Sequence, residues 1–228
     1  MELGWLGHLS LDWNFFSGLF SISIINLILS GDNAVVIALA VRSLPQSQRV
    51  KGIAFGSAAA VLLRVVLTFF AVQLLQVSFL KIIGGVLIAW IAVTLFLEEE
   101  ESQKHKESVA GFMQAIRIIL VADLIMSLDN VLAVAAASKD NLFLLIFGLA
   151  LSIPIVVGTS TLLSRLMDRY PFIIFLGSAL LGKVAGEMII TDPVLMDALN
   201  PGTYTIYGVE ALFTIGVVVA GKLLARRA

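Results

Sequence analysis

Long apolar stretches, separated from one another by short polar clusters, make up most of this chain. A stretch of about 20 apolar residues is long enough for an α-helix to cross the hydrocarbon core of a bilayer. Seven stretches are of about this length or longer, at 15–41, 52–75, 79–97, 112–137, 141–163, 172–191 and 205–225. The pattern predicts an all-α integral membrane protein with seven transmembrane helices.

The composition excludes several other classes of protein. Of the 228 residues, 59% are apolar and 14% are charged, and the mean hydropathy is +1.01. Soluble domains carry about 25% charged residues, so this chain is too poor in charge to form a water-facing surface. A soluble domain, a disordered chain and a nucleic-acid-binding protein are therefore excluded. The chain has no cysteine, which rules out disulfides and thiolate metal sites.

Basic residues fall mainly on one side of the predicted spans. Ten of the fifteen lie between spans one and two, three and four, or five and six, or at the C-terminal end: Arg42, Arg49, Lys51, Lys104, Lys106, Arg165, Arg169, Lys222, Arg226 and Arg227. The other side offers Lys139 and Lys81. Because cytoplasmic loops are rich in Lys and Arg, the N-terminus is expected outside. Residues 1–14 lack both types, so the first stretch is expected to remain as a span rather than act as a signal peptide.

The two halves of the chain share a motif at an offset of 97 residues. The first span contains Asn26-x-x-x-Ser30-Gly31-Asp32-Asn33 and the fourth contains Asp123-x-x-x-Ser127-Leu128-Asp129-Asn130. Two three-helix units in one chain must have opposite orientations, as in transporters built from inverted repeats. The expected organisation is a single transmembrane domain, 1–228, with repeat one at about 15–97, repeat two at about 112–191 and a seventh helix at about 205–225.

Carboxylates within these spans are the main candidates for function. A carboxylate at the bilayer centre costs about 2.5–3.5 kcal/mol on insertion scales, so it is retained only where partners or water receive it. The spans hold three such residues and three amides, namely Asp32, Asp123, Asp129, Asn26, Asn33 and Asn130. These hard oxygen ligands suit Mn²⁺, Mg²⁺ or Ca²⁺ rather than zinc or copper. Both histidines, His8 and His105, lie outside the spans.

The helical positions of these residues leave two geometries open. On a regular helix Asn26, Ser30 and Asn33 fall within about 60° of one another, whereas Asp32 points roughly 120° away from Asn26. The same holds for the matching residues of the fourth span. Either the two helices unwind locally and expose backbone carbonyls to a cation, or each aspartate faces a different neighbour. We favour local unwinding, which Gly31 makes easier in the first span.

Other roles for the intramembrane polar residues stay open. Asp–Asn pairs can tie helices together by hydrogen bonds. Asp123, which stands opposite a neutral asparagine in the other repeat, is a candidate proton carrier. Arg64 either neutralises an aspartate when the cation is absent or forms a structural ion pair. Lys183 and Glu187 are expected to pair with each other at i and i+4. Glu210 either lines an outer vestibule or reaches the headgroups.

The paired motifs resemble the TerC family of integral membrane proteins, in particular its short bacterial YjbE-like branch. Residues 84–90 and 186–189 are also similar to that family, whereas Lys183 and Thr94 depart from it. The resemblance implies manganese export across the cytoplasmic membrane, in a multi-pass protein. It also implies that the ion is bound by Asp32, Asn33, Asp129 and Asn130, with Asp123 and Asn26 as additions.

The resulting hypothesis is a transporter, not an enzyme, that exports Mn²⁺ through a midplane site and needs no cofactor. The alternatives are an exporter or exchanger for Ca²⁺ or Mg²⁺ and a non-transporting membrane-assembly protein. An intramembrane aspartyl protease and a retinal-binding pump are rejected because the protease motifs and a mid-helix lysine in the last span are missing. The expected partners are the divalent cation, the bilayer and a H⁺ or Na⁺ counter-ion. A homodimer is left open.

Overall fold

The computed structural model describes residues 13–74, 77–105, 111–138 and 142–225, and every regular element in these ranges is a helix. The helices are α1 (Trp13–Leu29), α2 (Gly31–Arg42), α3 (Gln46–Leu74), α4 (Leu80–His105), α5 (Phe112–Ser138), α6 (Leu142–Arg169), α7 (Phe172–Ile190), α8 (Pro193–Leu199) and α9 (Thr203–Ala225). This confirms the all-α class predicted from the sequence.

Most of these helices are long and apolar enough to cross a membrane. Among the described residues, α3, α4, α6, α7 and α9 meet that condition singly, and α1 with α2 adds a sixth candidate span that is bent by 54°. The fourth predicted span corresponds to α5, which is 27 residues long but is not among the candidates. It carries Arg117, Asp123 and Asp129 along its length. The count of seven spans therefore stays a prediction.

The first predicted span is broken where the sequence places Ser30 and Gly31. Helix α1 ends at Leu29 and α2 begins at Gly31, with Ser30 between them at φ −104° and ψ 6°. The local unwinding predicted for this span is confirmed. For the fourth span it was wrong, because α5 runs without interruption through Leu128. Leucine is among the strong helix formers and glycine is among the weakest, which accounts for the difference.

The helices pack in a reciprocal pattern. Helix α3 packs on α5, and the corresponding contact in the second half of the chain is that of α6 with α1 and α2. Likewise, α4 contacts α5, and the corresponding contact is that of α7 with α2. The extensive α4–α7 contact joins the two sets, and α9 packs against both of these helices. These are the pairings that two units related by a two-fold axis would make, although the inverted repeat itself stays a prediction.

A Cβ at Gly182 would lie 2.8 Å from the Phe213 carbonyl oxygen, so only glycine allows α7 and α9 to approach this closely.

Polar contacts hold the helix bundle at both of its ends. At one end Asp168, from α6, accepts hydrogen bonds from Arg42 Nε at 3.2 Å and Arg49 Nη1 at 2.6 Å. At the other end the fully buried Asp192 accepts the backbone N–H groups of Val194, Lys81 and Ile82 at 3.0–3.3 Å. Asp192 thereby caps α8 and ties it to the start of α4.

Candidate cation site

Arg64 lies at the centre of the polar cluster inside the bundle. It projects from α3 and is 5% exposed, and its guanidinium contacts residues of α1, α5 and the break at Ser30. Its Nη2 lies 2.5 Å from Asp123 Oδ1, and its Nε lies 3.0 Å from Ser127 Oγ. Its Nη1 donates to Asn26 Oδ1 at 2.7 Å and to Ser30 Oγ at 2.9 Å. One guanidinium therefore holds four polar side chains together.

These four side chains form two pairs at the offset found in the sequence. Asn26 and Asp123 are 97 residues apart, and so are Ser30 and Ser127. Asp123 is 3% exposed and is paired with Arg64, a contact that both roles considered for Arg64 require. Arg64 satisfies both the charge and the hydrogen-bonding capacity of the buried carboxylate, as burial of an ion requires.

A second convergence occurs at the break between α1 and α2. The Leu29 carbonyl accepts the side-chain amide of Asn130 at 3.1 Å and that of Asn33 at 3.4 Å. The Oδ1 atom of Asn33 is buried and has no hydrogen-bond partner. A buried polar atom without a partner is uncommon and costs free energy. The asparagines of both motifs thus meet at a carbonyl that helix breakage has released.

Asp32 and Asp129 occupy matching positions in the two motifs. Asp32 lies in the first turn of α2 and is partly buried, and its Oδ1 accepts the backbone N–H of Asn33 at 2.8 Å. A carboxylate at a helix N-terminus is favoured by the helix dipole. The backbone of Asp129 belongs to α5, but its side chain lies outside the part of the chain that the structure describes. Its role in the site stays a prediction.

A small cavity of about 20 Å³ adjoins the guanidinium. Its polar lining consists of Asn26, Ser30, Asn33, Ser57, Arg64, Asp123 and Ser152. A single water needs about 10–15 Å³ by the same measure, so the cavity has room for one water-sized species. Asn26 Nδ2 lies 2.5 Å from Ser152 Oγ, whereas the buried Ser57 Oγ has no partner.

The sequence interpretation missed Ser57 and Ser152. Ser57 precedes Arg64 by seven residues, or about two helical turns, so the two share a face of α3. That spacing could have linked Ser57 to Arg64. Ser152 reaches Asn26 from α6, across 126 residues of sequence, and no local pattern indicates that contact.

The described part of the chain contains no group of three or more His, Cys, Asp or Glu side chains that could hold a metal ion. A cation site there would combine one or two carboxylates with amide, hydroxyl and carbonyl oxygens. Such neutral and anionic oxygens are the ligands of hard divalent cations. The same mixture also hydrogen-bonds a guanidinium, which is the role in which Asn26, Ser30 and Asp123 are found.

A separate charged cluster joins α7 to α9. Lys183 Nζ lies 3.0 Å from Glu187 Oε2, which confirms the expected i, i+4 pair, and 3.4 Å from Glu210 Oε2. Glu210 is 7% exposed and lies beside Lys183, so it is a buried member of this cluster. It is buried because glycines of α7 let α9 pack closely. The two roles considered for Glu210 from the sequence, lining a vestibule or reaching the headgroups, stay predictions.

Comparison with known proteins shows that the chain is similar to membrane proteins of bacteria. The family model of the "Integral membrane protein TerC family" matches residues 11–228. The uncharacterized membrane protein YjbE of Bacillus subtilis is 44% identical over 171 residues, covering 75% of this chain and 78% of its own. The inner membrane protein YgdQ of Escherichia coli K12 is 24% identical over 196 residues, covering 78% and 82% respectively. No solved structure matches the chain.

Proposed function

This chain belongs to the TerC family of integral membrane proteins, and from that premise we propose that it exports divalent cations, with Mn²⁺ as its substrate. The observation that carries the proposal is the break between α1 and α2 inside a candidate span. Transporters commonly bind their ions at such discontinuous helices, where released carbonyls and half-helix ends face the substrate. Here the break bears Asp32 and a carbonyl on which Asn33 and Asn130 converge.

The ligands proposed for the cation come from both motifs. Asp32, Asn33, Asp129 and Asn130 form the primary set, and Asp123 and Asn26 add to it. The unpaired Oδ1 of Asn33 supports this assignment, because a cation would satisfy an oxygen that hydrogen bonds leave free. Carboxylate and amide oxygens favour Mn²⁺, Mg²⁺ and Ca²⁺ over softer metals. Met126, buried one residue before Ser127, has a thioether sulfur, a softer ligand that favours Mn²⁺ over Mg²⁺.

Export of a dication needs an energy source. Moving two charges against a potential of 100 mV costs about 4.6 kcal/mol. Entry of protons or sodium ions is the proposed source. The reciprocal packing of the helices supports alternating access, in which one set of helices rocks against the other around a fixed site. The cytoplasmic membrane is the proposed location, and one relative, YgdQ, is named an inner membrane protein.

The test is transport by the purified chain in liposomes loaded with a dye that Mn²⁺ quenches. Wild type should quench the dye when Mn²⁺ is added, and Asp32→Asn should not, since it loses the charge but keeps the side-chain shape. Asp197→Asn is the matched control, because Asp197 is exposed on α8. No quenching by Mn²⁺ in wild type, and no uptake of Ca²⁺ or Mg²⁺ measured with indicators for those ions, under a proton or sodium gradient, would overturn the proposal and favour a non-transporting role. In cells, deletion of the gene should raise manganese content under metal challenge.

A further inference from the structure

One arginine serves both halves of the polar cluster. Arg64 contacts Asn26 and Ser30 of the first motif together with Asp123 and Ser127 of the second. At the offset of 97 residues the position that matches Arg64 is Thr161, whose hydroxyl donates to the Val157 carbonyl at 2.6 Å within its own helix. The cluster therefore has a single guanidinium where its motifs are otherwise paired.

The contacts of Arg64 are those that a divalent cation would need. Two nitrogens of the guanidinium face the two oxygens of Asp123, at 2.5 Å and 3.4 Å. A carboxylate held in this way has its lone pairs directed at the guanidinium. A dication on the same oxygens would also be repelled by the buried positive charge. Arg64 and a metal ion therefore cannot share Asp123.

We propose that Arg64 is a tethered cation, which occupies Asp123 when the transport site is empty and is displaced from it when the divalent cation binds. This inference rests on the proposed function of the site. Asp32, Asp123 and Asp129 together carry three negative charges, which the dication and Arg64 together balance. Without the dication, Arg64 still neutralises Asp123. That carboxylate is then not an unpaired buried charge, which would be costly.

The surroundings of Arg64 can receive the displaced guanidinium. Ser57 Oγ lines the cavity that Arg64 also lines, and it is buried without a hydrogen-bond partner. Ser57 is on the same face of α3 as Arg64. A guanidinium that gives up Asp123 therefore finds a further oxygen acceptor in this cavity. Together with Ser30 and Ser127, which Arg64 already contacts, Ser57 keeps its N–H groups satisfied, which a buried arginine requires.

The consequence concerns the return of the empty transporter. An exchanger reorients once with Mn²⁺ and once with its counter-ion, and a buried unpaired carboxylate opposes the second step. In that step H⁺ or Na⁺ would neutralise Asp32 and Asp129, while Arg64 neutralises Asp123. Without Arg64, the carrier loaded with Mn²⁺ can still cross in both directions, but the carrier without Mn²⁺ cannot return. Exchange of Mn²⁺ for Mn²⁺ should then persist while net transport is lost.

The experiment compares these two modes in proteoliposomes that contain the full chain. Net transport is measured as Mn²⁺ uptake into Mn²⁺-free liposomes under a proton or sodium gradient, and exchange as uptake of radioactive manganese into liposomes preloaded with unlabelled Mn²⁺. In Arg64→Gln the ratio of net transport to exchange should fall by at least about tenfold, because an unpaired buried charge raises the barrier to return. The control Arg165→Gln removes an exposed arginine of α6 and should keep the wild-type ratio.

Each other outcome has a defined meaning. A folded Arg64→Gln protein with an unchanged ratio, or with both modes lost equally, overturns the tethered-cation role. Wild type that shows neither mode overturns the proposed function and the inference that depends on it. If Arg64→Gln does not fold, Arg64→Lys decides, because a point charge cannot contact both oxygens of Asp123 and the four side chains at once. Its ratio should fall, and a wild-type ratio contradicts the proposal.

Discussion

The side-chain amides of Asn33 and Asn130, which are 97 residues apart, donate to the same backbone oxygen, that of Leu29. One asparagine follows the break in the same stretch of chain, and the other reaches it from α5. The shared acceptor orients both amide groups. It also couples the two residues energetically, because each competes for and positions the same carbonyl.

We expect the effects of changing these asparagines to be non-additive. Asn33→Ala and Asn130→Ala should each weaken Mn²⁺ binding, and the double variant should lose less than the sum of the two. Residues in one hydrogen-bond network typically show coupling of about 0.5–3 kcal/mol. Calorimetric titration of the four proteins with Mn²⁺ measures it. Fully additive losses would mean that the shared carbonyl does not link the two sides of the site.

Asp32→Asn and Asp129→Asn should each abolish manganese tolerance in an exporter-deficient strain. Each change removes a negative charge that balances the dication while leaving the size of the side chain unchanged. Insertion into the membrane should persist, which immunoblotting of membrane fractions checks. Full tolerance in either variant would contradict the assignment of that residue to the site.

Loss of one partner of the Arg64–Asp123 pair should destabilise the protein strongly. Asp123→Asn leaves a buried guanidinium without its counter-charge, and breaking a buried pair typically costs about 3–5 kcal/mol. Removing both charges in Arg64→Met with Asp123→Leu should restore much of the loss. The melting temperature in detergent measures both effects. A double variant no more stable than Asp123→Asn would show that packing, not charge, holds the cluster together.

Asp192→Ala should lower stability without changing transport by the folded molecules. The buried carboxylate accepts three backbone N–H groups, and hydrogen bonds to charged groups contribute about 1.5–3 kcal/mol each. Asp197→Ala, on the exposed side of α8, should leave the melting temperature near that of wild type. Equal melting temperatures for the two variants would show that the Asp192 contacts do not stabilise the bundle.

The ligand chemistry makes a separate prediction about metals. Calorimetry should detect Mn²⁺ binding to the purified chain, since the proposed ligands are carboxylate and amide oxygens, which suit hard cations. Titrations with Ca²⁺ and Mg²⁺ establish the order among the hard cations. Tight Zn²⁺ binding with no response to Mn²⁺ would contradict the oxygen site.

The sequence allowed the class of fold and part of the site to be predicted. Apolar length identified helices because a bilayer leaves the backbone few alternatives. Gly31 located the break, since its low helix propensity acts locally. The paired motifs identified Asn26, Asn33, Asp123 and Asn130, which meet in two neighbouring clusters around Arg64 and the Leu29 carbonyl.

Other features depend on contacts between distant parts of the chain. The partners of Arg64 come from α1, α5 and the break, and no single helix pattern states which of them it reaches. The interpretation of span four failed because its motif has Leu128 where the first has Gly31. Asp192 escaped notice because it follows a span, where polar residues are common, and because its bonds to the start of α4 join residues about 110 positions apart in the sequence.

The two ends of the bundle are fastened by interactions that respond differently to the surrounding solution. Asp168 is about a third exposed, so its bonds to Arg42 and Arg49 lie within reach of dissolved ions. Such pairs contribute little individually and weaken as ionic strength rises. The backbone bonds of Asp192 are shielded from salt. Ionic strength therefore loosens α2, α3 and α6 at one end and leaves α4 and α8 joined at the other.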